Sequence, residues 1–197
     1  VTLNGSASGG ATSLYGIRLS NNNVLSASGA INFNVASGTL EASASYTLNV
    51  GRAAGTDVTA STSPITLTAN ALNFAGTSNL STSGTVTVQP YGNNFSSAVS
   101  WPLTNLNLAS SVSGLTIGKD IGSTAHTDTV TMGGTTSIAG PINVYAGTIN
   151  VNANLNTSGG GANGDILFKA SGGITHASGV TVTTNGGDVT YWADSDG

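Results

Sequence analysis

A chain of 197 residues is long enough for one sizeable domain with its own core. Only 6% of it is charged, with four Lys and Arg against eight Asp and Glu for a net charge of −4, which excludes the basic clusters that bind nucleic acid or an anionic membrane surface. Cysteine is absent, so there is no disulfide framework and no thiol chemistry, and no apolar run reaches membrane-spanning length.

Ser, Thr, Asn and Gly fill roughly half the chain, a bias that often accompanies disorder. Here Val, Ile, Leu and Thr alternate with polar residues throughout, and disordered chains lack that alternation. Neutral polar residues in place of Lys and Glu point to side chains stacked in rows on a sheet. The opening VTLNGSASGG has no charged-then-apolar leader. The expectation is a mature chain, or a piece of a longer one, whose export signal is removed or lies elsewhere.

In chain order, the first half reads as strands joined by long turns, through ATSLYGIRLSNNN from Ala11 and GAINFNV from Gly29. The phrase at Gly29 then returns: SPITLTA at Ser63, GTVTVQP at Gly84, GPINVYA at Gly140, GDILFKA at Gly164 and GDVTYWA at Gly187. The third and fifth positions are apolar each time: Ile31 and Phe33, Ile65 and Leu67, Val86 and Val88, Ile142 and Val144, Ile166 and Phe168, Val189 and Tyr191. GLTIGKD at Gly114 is a shifted relative, with Leu115 and Ile117. Such alternation marks half-buried strands. A middle strand follows in ALNFAG from Ala71, GTINVNA from Gly147 and GGITHAS from Gly172. An apolar-x-Thr-x-Gly phrase closes three units, with Leu80, Thr82 and Gly84, then Leu155, Thr157 and Gly159, then Val182, Thr184 and Gly186. The final Gly gives freedom for a tight corner. No 3.6-residue apolar periodicity runs long enough for a helix.

Units of strand, corner, strand, corner, strand and Gly-rich corner, recurring in the C-terminal half at roughly 21–26 residues, mark a solenoid. The predicted fold is an all-β, right-handed parallel β-helix in one domain over 1–197. Turns over 1–113 are less regular, with an insertion about 89–108, and those over 114–197 are regular. Eight or nine turns at about 4.8 Å per strand make a rod on the order of 40 Å long.

The stretch GLTIGKDIGSTAHTDTVTMGGTTSIAGPINVYAGTINVNANLNTSG, with GDILFKA and NGGDVTYWADSDG after it, resembles the repeat region of giant bacterial surface proteins such as the filamentous haemagglutinins. The resemblance covers Gly114 to Gly197 and extends to the first hundred residues only in style. It implies a right-handed parallel β-helix, export to the cell surface, and a role in adhesion or in building a stalk. It brings no catalytic motif.

Several residue groups raise a chemical question, and each has a plain structural reading beside it. Asp188, Asp194 and Asp196 resemble the start of a calcium loop, which needs several oxygen ligands; the alternative is a solvated turn. Asp165 and Asp188 fall at equivalent places in successive turns, as a cation-binding pair or as two solvated corner residues. His126 and Asp128 permit a weak metal pair, but zinc needs three or four ligands; structural hydrogen bonding is the expectation for His126 and for His176. Lys119 and Asp120 are adjacent, so on a strand they face opposite ways and make no acid–base pair. Thr-x-Thr phrases would suit an ice-ordering ladder only if they recurred at the same place in every turn, and they do not. Tyr91, Phe95 and Trp101 are an aromatic group suited to stacking on sugars, or to capping the core.

The expected function is that of a structural and adhesive segment of a secreted or cell-surface bacterial adhesin, not an enzyme, without a cofactor unless calcium binds. Its expected partners are host or neighbouring-cell surfaces, glycans, or copies of itself. Two alternatives are a self-assembling extracellular filament subunit joined end to end, and a carbohydrate-binding or carbohydrate-cleaving β-helix. Neither nucleic acid nor membrane insertion is expected.

Overall fold

The apolar positions of the recurring phrase fall in one row of a parallel sheet. The computed structural model describes residues 1–8, 14–52 and 61–196, so Gly197 of the ADSDG turn and Ala11–Ser13 lie outside the described residues. The first sheet runs in the order β1 (Thr2–Gly5), β4 (Ile31–Ala42), β6 (Ile65–Phe74), β8 (Thr85–Gln89), β11 (Gly114–Ile117), β14 (Ile142–Ala146), β17 (Ile166–Ala170) and β20 (Val189–Trp192). β2 (Tyr15–Leu19) pairs with the second half of β4. Every pairing in this sheet is parallel.

Ile31, Ile65, Val86, Leu115, Ile142, Ile166 and Val189 are successive register partners. Phe33, Leu67, Val88, Ile117, Val144, Phe168 and Tyr191 form the next inward row. Apart from Val189 and Tyr191 on the last strand, all of them are buried. A one-residue slip would turn each row to solvent, so burial fixes the register.

Three smaller parallel sheets complete the structure. β3 (Asn23–Ser26), β5 (Leu48–Arg52), β7 (Ser78–Leu80) and β10 (Leu106–Leu108) pair in that order. β9 (Val99–Trp101), β12 (Thr129–Met132), β15 (Thr148–Val151) and β18 (Ile174–His176) form the third sheet. β13 (Thr136–Ser137), β16 (Leu155–Asn156) and β19 (Val182–Thr183) form the fourth. The only helical element among the described residues is a 3-10 turn at Ser158–Asn163.

The segment 89–108 is not an insertion outside the repeat. It carries β9 and β10, which start one small sheet and end another. Phe95 and Trp101 within it belong to the core. The first two sheets also differ from the expected three-strand unit. β4 and β6 run through a corner as single long strands, so the middle phrase at Ala71 continues β6 and pairs with Thr39–Ala42. The Leu80 phrase lies in the second sheet and the Leu155 phrase in the fourth.

At the corners, threonine hydroxyls take up backbone groups that the ladders leave free. Thr82 Oγ1 donates to Ser63 O at 2.6 Å and accepts from Gly84 N at 2.8 Å, and Thr184 Oγ1 donates to Gly187 O at 2.7 Å. Thr157 Oγ1 bonds Gly164 O in the same way. Gly186 has the positive φ of +87° expected of a corner glycine. Gly84 does not; a Cβ there would lie 2.5 Å from Thr62 O, so close approach is what requires glycine.

The abundance of asparagine has a structural use. On the second sheet, Asn79 Nδ2 donates to Asn49 Oδ1 and Asn107 Nδ2 to Asn79 Oδ1, both at 2.9 Å, across register-paired positions. Asn34 and Asn4 repeat the contact on the first sheet at 3.1 Å. Asn79→Ala removes both bonds of the middle rung. The expected cost is about 1 kcal/mol in urea unfolding, because the groups left behind are partly hydrated. A loss above about 3 kcal/mol would mean that the ladder is far more buried than the register implies.

Candidate functional site

The outward positions of the first sheet are polar on its N-terminal side and change character toward β20. Asn34, Thr68 and Gln89 occupy one outward row. Further along the sheet, Tyr145, Lys169 and Trp192 are direct register partners in the corresponding row. Tyr145 is half-buried, whereas Trp192 is 49% exposed. The Lys169 ammonium lies 4.8 Å from the centre of the Trp192 ring, close enough for attraction to its π face.

β11 ends where this row would continue. Gly118 takes φ +84°, and a Cβ on it would lie 2.0 Å from Tyr145 O. The chain turns off the sheet there and carries Asp120 outward to Lys169, with Lys169 Nζ 2.9 Å from Asp120 Oδ1. Gly122 N donates to the same oxygen at 3.0 Å. The Asp120 side chain is 51% exposed, and that of Lys169 only 12%.

The Lys169 hydrogen bond, then the Gly122 N–H, hold the Asp120 carboxyl below its ordinary 3.8. Tyr145 is raised, by burial first and then by the Asp120 charge. Because the folded-state value for Asp120 is depressed, its contribution to stability is complete above the ordinary carboxylate range and is lost as pH falls through the lowered value. The carboxylate is exposed, so that contribution is at most about 1 kcal/mol. Asp120→Asn is expected to remove this part of the acid dependence below about pH 4 and to leave stability at pH 7 lower by a few tenths of a kcal/mol, read from urea midpoints across pH. An unchanged acid limb would contradict the pairing.

A second polar node is buried. Asp128 sits just before β12, with its side chain 1% exposed. Its Oδ2 accepts from Phe95 N at 3.0 Å and its Oδ1 from Gly147 N at 3.3 Å. His126 Nδ1 lies 3.7 Å from Oδ1 and makes no hydrogen bond among the described residues. His126 N donates to Ser171 Oγ at 2.9 Å, and Ser171 Oγ donates to His126 O at 3.0 Å. Segment 126–128 therefore fastens three parts of the chain that are distant in sequence. A third node holds the buried Glu41, whose Oε1 lies 2.9 Å from Arg18 Nε and accepts from Ser43 Oγ at 3.2 Å and whose Oε2 accepts from Asn73 Nδ2 at 3.0 Å, while Arg18 Nε itself donates to Ser43 Oγ at 2.9 Å.

No family model, curated protein or solved structure matches the chain.

The residues singled out in the sequence are placed as follows. Tyr91, Phe95 and Trp101 do not form an exposed aromatic platform: Phe95 is 5% and Trp101 1% exposed, leaving Tyr91 alone at the surface. Apolar packing draws Phe95 and Trp101 inward, so of the two readings of this trio the core role, not sugar stacking, fits these two rings. Asp188 and Asp194 are exposed and Asp196 is half-buried. Among the described residues no group of three or more His, Cys, Asp or Glu side chains is placed to hold a metal ion. Asp165 Oδ1 instead accepts from Asp188 N at 2.8 Å, joining the residues just ahead of β17 and β20. His176 is exposed, with Nδ1 2.8 Å from the Tyr191 hydroxyl and Nε2 3.1 Å from Val180 O. On the outside of the first sheet, Thr66, Thr87 and Thr116 do align, but Asn143 and Leu167 interrupt the row.

Two clefts flank the 99–108 segment, of 220 Å³ beside Trp101, Pro102 and Ile138 and of 410 Å³ beside Phe74, Leu103 and Asn105. No ionisable side chain lines either one.

Sequence reasoning missed the Tyr145–Lys169–Trp192 row. The signal was present, since these residues share the sixth position of GPINVYA, GDILFKA and GDVTYWA.

Proposed function

We propose that the chain is a rod-like structural segment of a secreted or cell-surface bacterial adhesin, built as a right-handed parallel β-solenoid. The observation that carries this reading is the unbroken parallel path of eight strands in the first sheet, with inward apolar rows in one register. Stacked units of this kind gain stability from each neighbour and lengthen by repetition, which suits a stalk. Neutral outward Asn and Thr rows also suit an extended extracellular surface, with few charges to pair or screen.

End-to-end self-association is a second reading. It would use β20, which among the described residues pairs with β17 alone, with Val189 and Tyr191 of the core rows 41% exposed. An edge strand with apolar side chains is a template for strand addition.

Denaturing gel electrophoresis and peptide mapping of the native source polypeptide separate the two. The stalk reading expects a mass far above 19.3 kDa. A mass near 19.3 kDa would overturn it in favour of a small self-assembling subunit.

A further inference from the structure

We propose that Asn185 is a self-modification site. The backbone nitrogen of Gly186 displaces its side-chain amide, so that the corner between β19 and β20 becomes aspartyl or isoaspartyl as the protein ages. The site goes beyond the rod reading and does not depend on it.

The chain holds three Asn-Gly pairs, Asn4-Gly5, Asn163-Gly164 and Asn185-Gly186. Asparagine is thermolabile, and a following glycine puts no side chain in the way of the attacking nitrogen. The three pairs are alike in sequence, and the structure separates them. Gly5 lies in β1, where Asn32 N donates to Val1 O and the alternation of the ladder turns Gly5 N toward Asn34 O. The Asn4 amide is held as well, with Oδ1 accepting from Asn34 Nδ2 at 3.1 Å. Gly164 is buried, and its N donates to Gly161 O at 3.1 Å at the end of the 3-10 turn. Asn185 and Gly186 are both exposed and outside every strand, and neither the Asn185 side chain nor Gly186 N hydrogen-bonds a described residue. Exposure at this corner is not confined to the last strands: Gly159, Ala162 and Asn163, at the corner ahead of β17, are exposed too.

The chemistry needs only the chain and water. Gly186 N gives up its proton to solvent and attacks Asn185 Cγ. The new N–Cγ bond closes a five-membered imide, the Cγ–Nδ2 bond breaks, and ammonia leaves. Water then opens the imide at either carbonyl, giving Asp or isoaspartate at position 185. The corner itself is closed by Thr184 Oγ1 donating to Gly187 O at 2.7 Å, a bond that uses neither reacting group. The positive φ of +87° at Gly186 disfavours any residue with a Cβ there, which keeps the nitrogen unshielded. Either product adds a negative charge to a chain whose net charge is −4. Isoaspartate also adds a methylene to the main chain between β19 and β20.

The test is peptide mapping by mass spectrometry, following amide-to-acid conversion at Asn4, Asn163 and Asn185 at mildly alkaline pH. The folded chain is compared with the same chain unfolded in urea, which removes the structure and keeps the sequence. In urea the three sites are expected to convert at similar rates. In the folded chain Asn185 is expected to stay within about twofold of its unfolded rate, because no local opening has to precede attack. Asn4 and Asn163 are expected to slow about fivefold or more, the rate counterpart of a hydrogen bond that must open first. Asn185→Gln requires a six-membered ring for the same attack and is expected to abolish conversion at this corner, with circular dichroism showing an unchanged fold. Conversion of Asn4 or Asn163 as fast as Asn185 in the folded chain would overturn the proposal. So would slowing of Asn185 on folding by as much as the other two, or an acidic product at this corner at the same rate in Asn185→Gln.

Discussion

Replacing Gly140 with Ala is expected to destabilise the protein by about 4 kcal/mol or more, near the upper end for a single substitution. Gly140 is a buried corner residue just ahead of β14. It lies against the corner of the previous turn, where a Cβ would come within 1.7 Å of Ser113 O and 2.2 Å of Ser113 C. Both are backbone atoms held in place by ladders. Ser113 N donates to Gly84 O at 3.1 Å and Leu115 N to Pro141 O at 2.8 Å. No side chain can swing aside to make room, so the turns must separate, and the rows on either side separate with them. Gly173→Ala is the control: nothing lies within 4 Å of a Cβ at that position. Its expected effect is within about 0.5 kcal/mol. Urea unfolding of both variants checks the pair, and equal midpoints would mean that the corners do not stack as described.

Asp128→Ala is expected to cost about 2–5 kcal/mol, since it leaves the buried N–H groups of Phe95 and Gly147 without their acceptor. The two donors come from opposite directions along the chain, one from the segment before β9 and one from the corner before β15. Loss of the carboxylate therefore loosens both neighbours of segment 126–128. Asp128→Asn keeps one oxygen acceptor and is expected to cost about half as much. Thermal and urea unfolding measure both. A loss under about 0.5 kcal/mol for Asp128→Ala would show that water replaces the carboxylate freely, against its 1% exposure.

The first sheet was readable because most of its strands carry about five residues of clean alternation in phrases that open with Gly or Ser, and period-2 burial has no other common cause. Ile65 and Leu67, or Ile166 and Phe168, announce an inward face without reference to any partner. β9 and β10 were hidden for the opposite reason. VSW and LNL are three residues long and sit among Asn, Ser and Pro. Only pairing with Val130–Met132 and with Ser78–Leu80 makes them strands. The long β6 was read as two strands, SPITLTA and ALNFAG, because a corner does not need to break the hydrogen-bonded path.

The polar nodes were the least legible. Lys119 and Asp120 were set aside as an acid–base pair because they are adjacent, and no spacing pointed to the actual partner of Asp120, Lys169, 49 residues away. Asp128 and His126 were weighed as metal ligands. Instead, Asp128 is buried to accept backbone N–H groups from turns that no local spacing identifies. Ionisable residues take their roles from contacts between turns, and the spacing of turns in this chain varies too much for those contacts to be read by counting.

The central claim is the register of the first sheet, and cysteine pairs test it directly because the chain has no cysteine of its own. Thr116 and Asn143 are outward register partners on adjacent strands, about 4.8 Å apart, within the range that a disulfide spans. Oxidation of the Thr116→Cys, Asn143→Cys double variant is expected to give an intramolecular disulfide. Thr116→Cys with Leu167→Cys skips a strand, and Thr116→Cys with Val144→Cys joins opposite faces, so neither is expected to close. Cross-linking of only the first pair is the result that this register predicts. Equal cross-linking of all three, or closure only of the pair involving Val144, would contradict it.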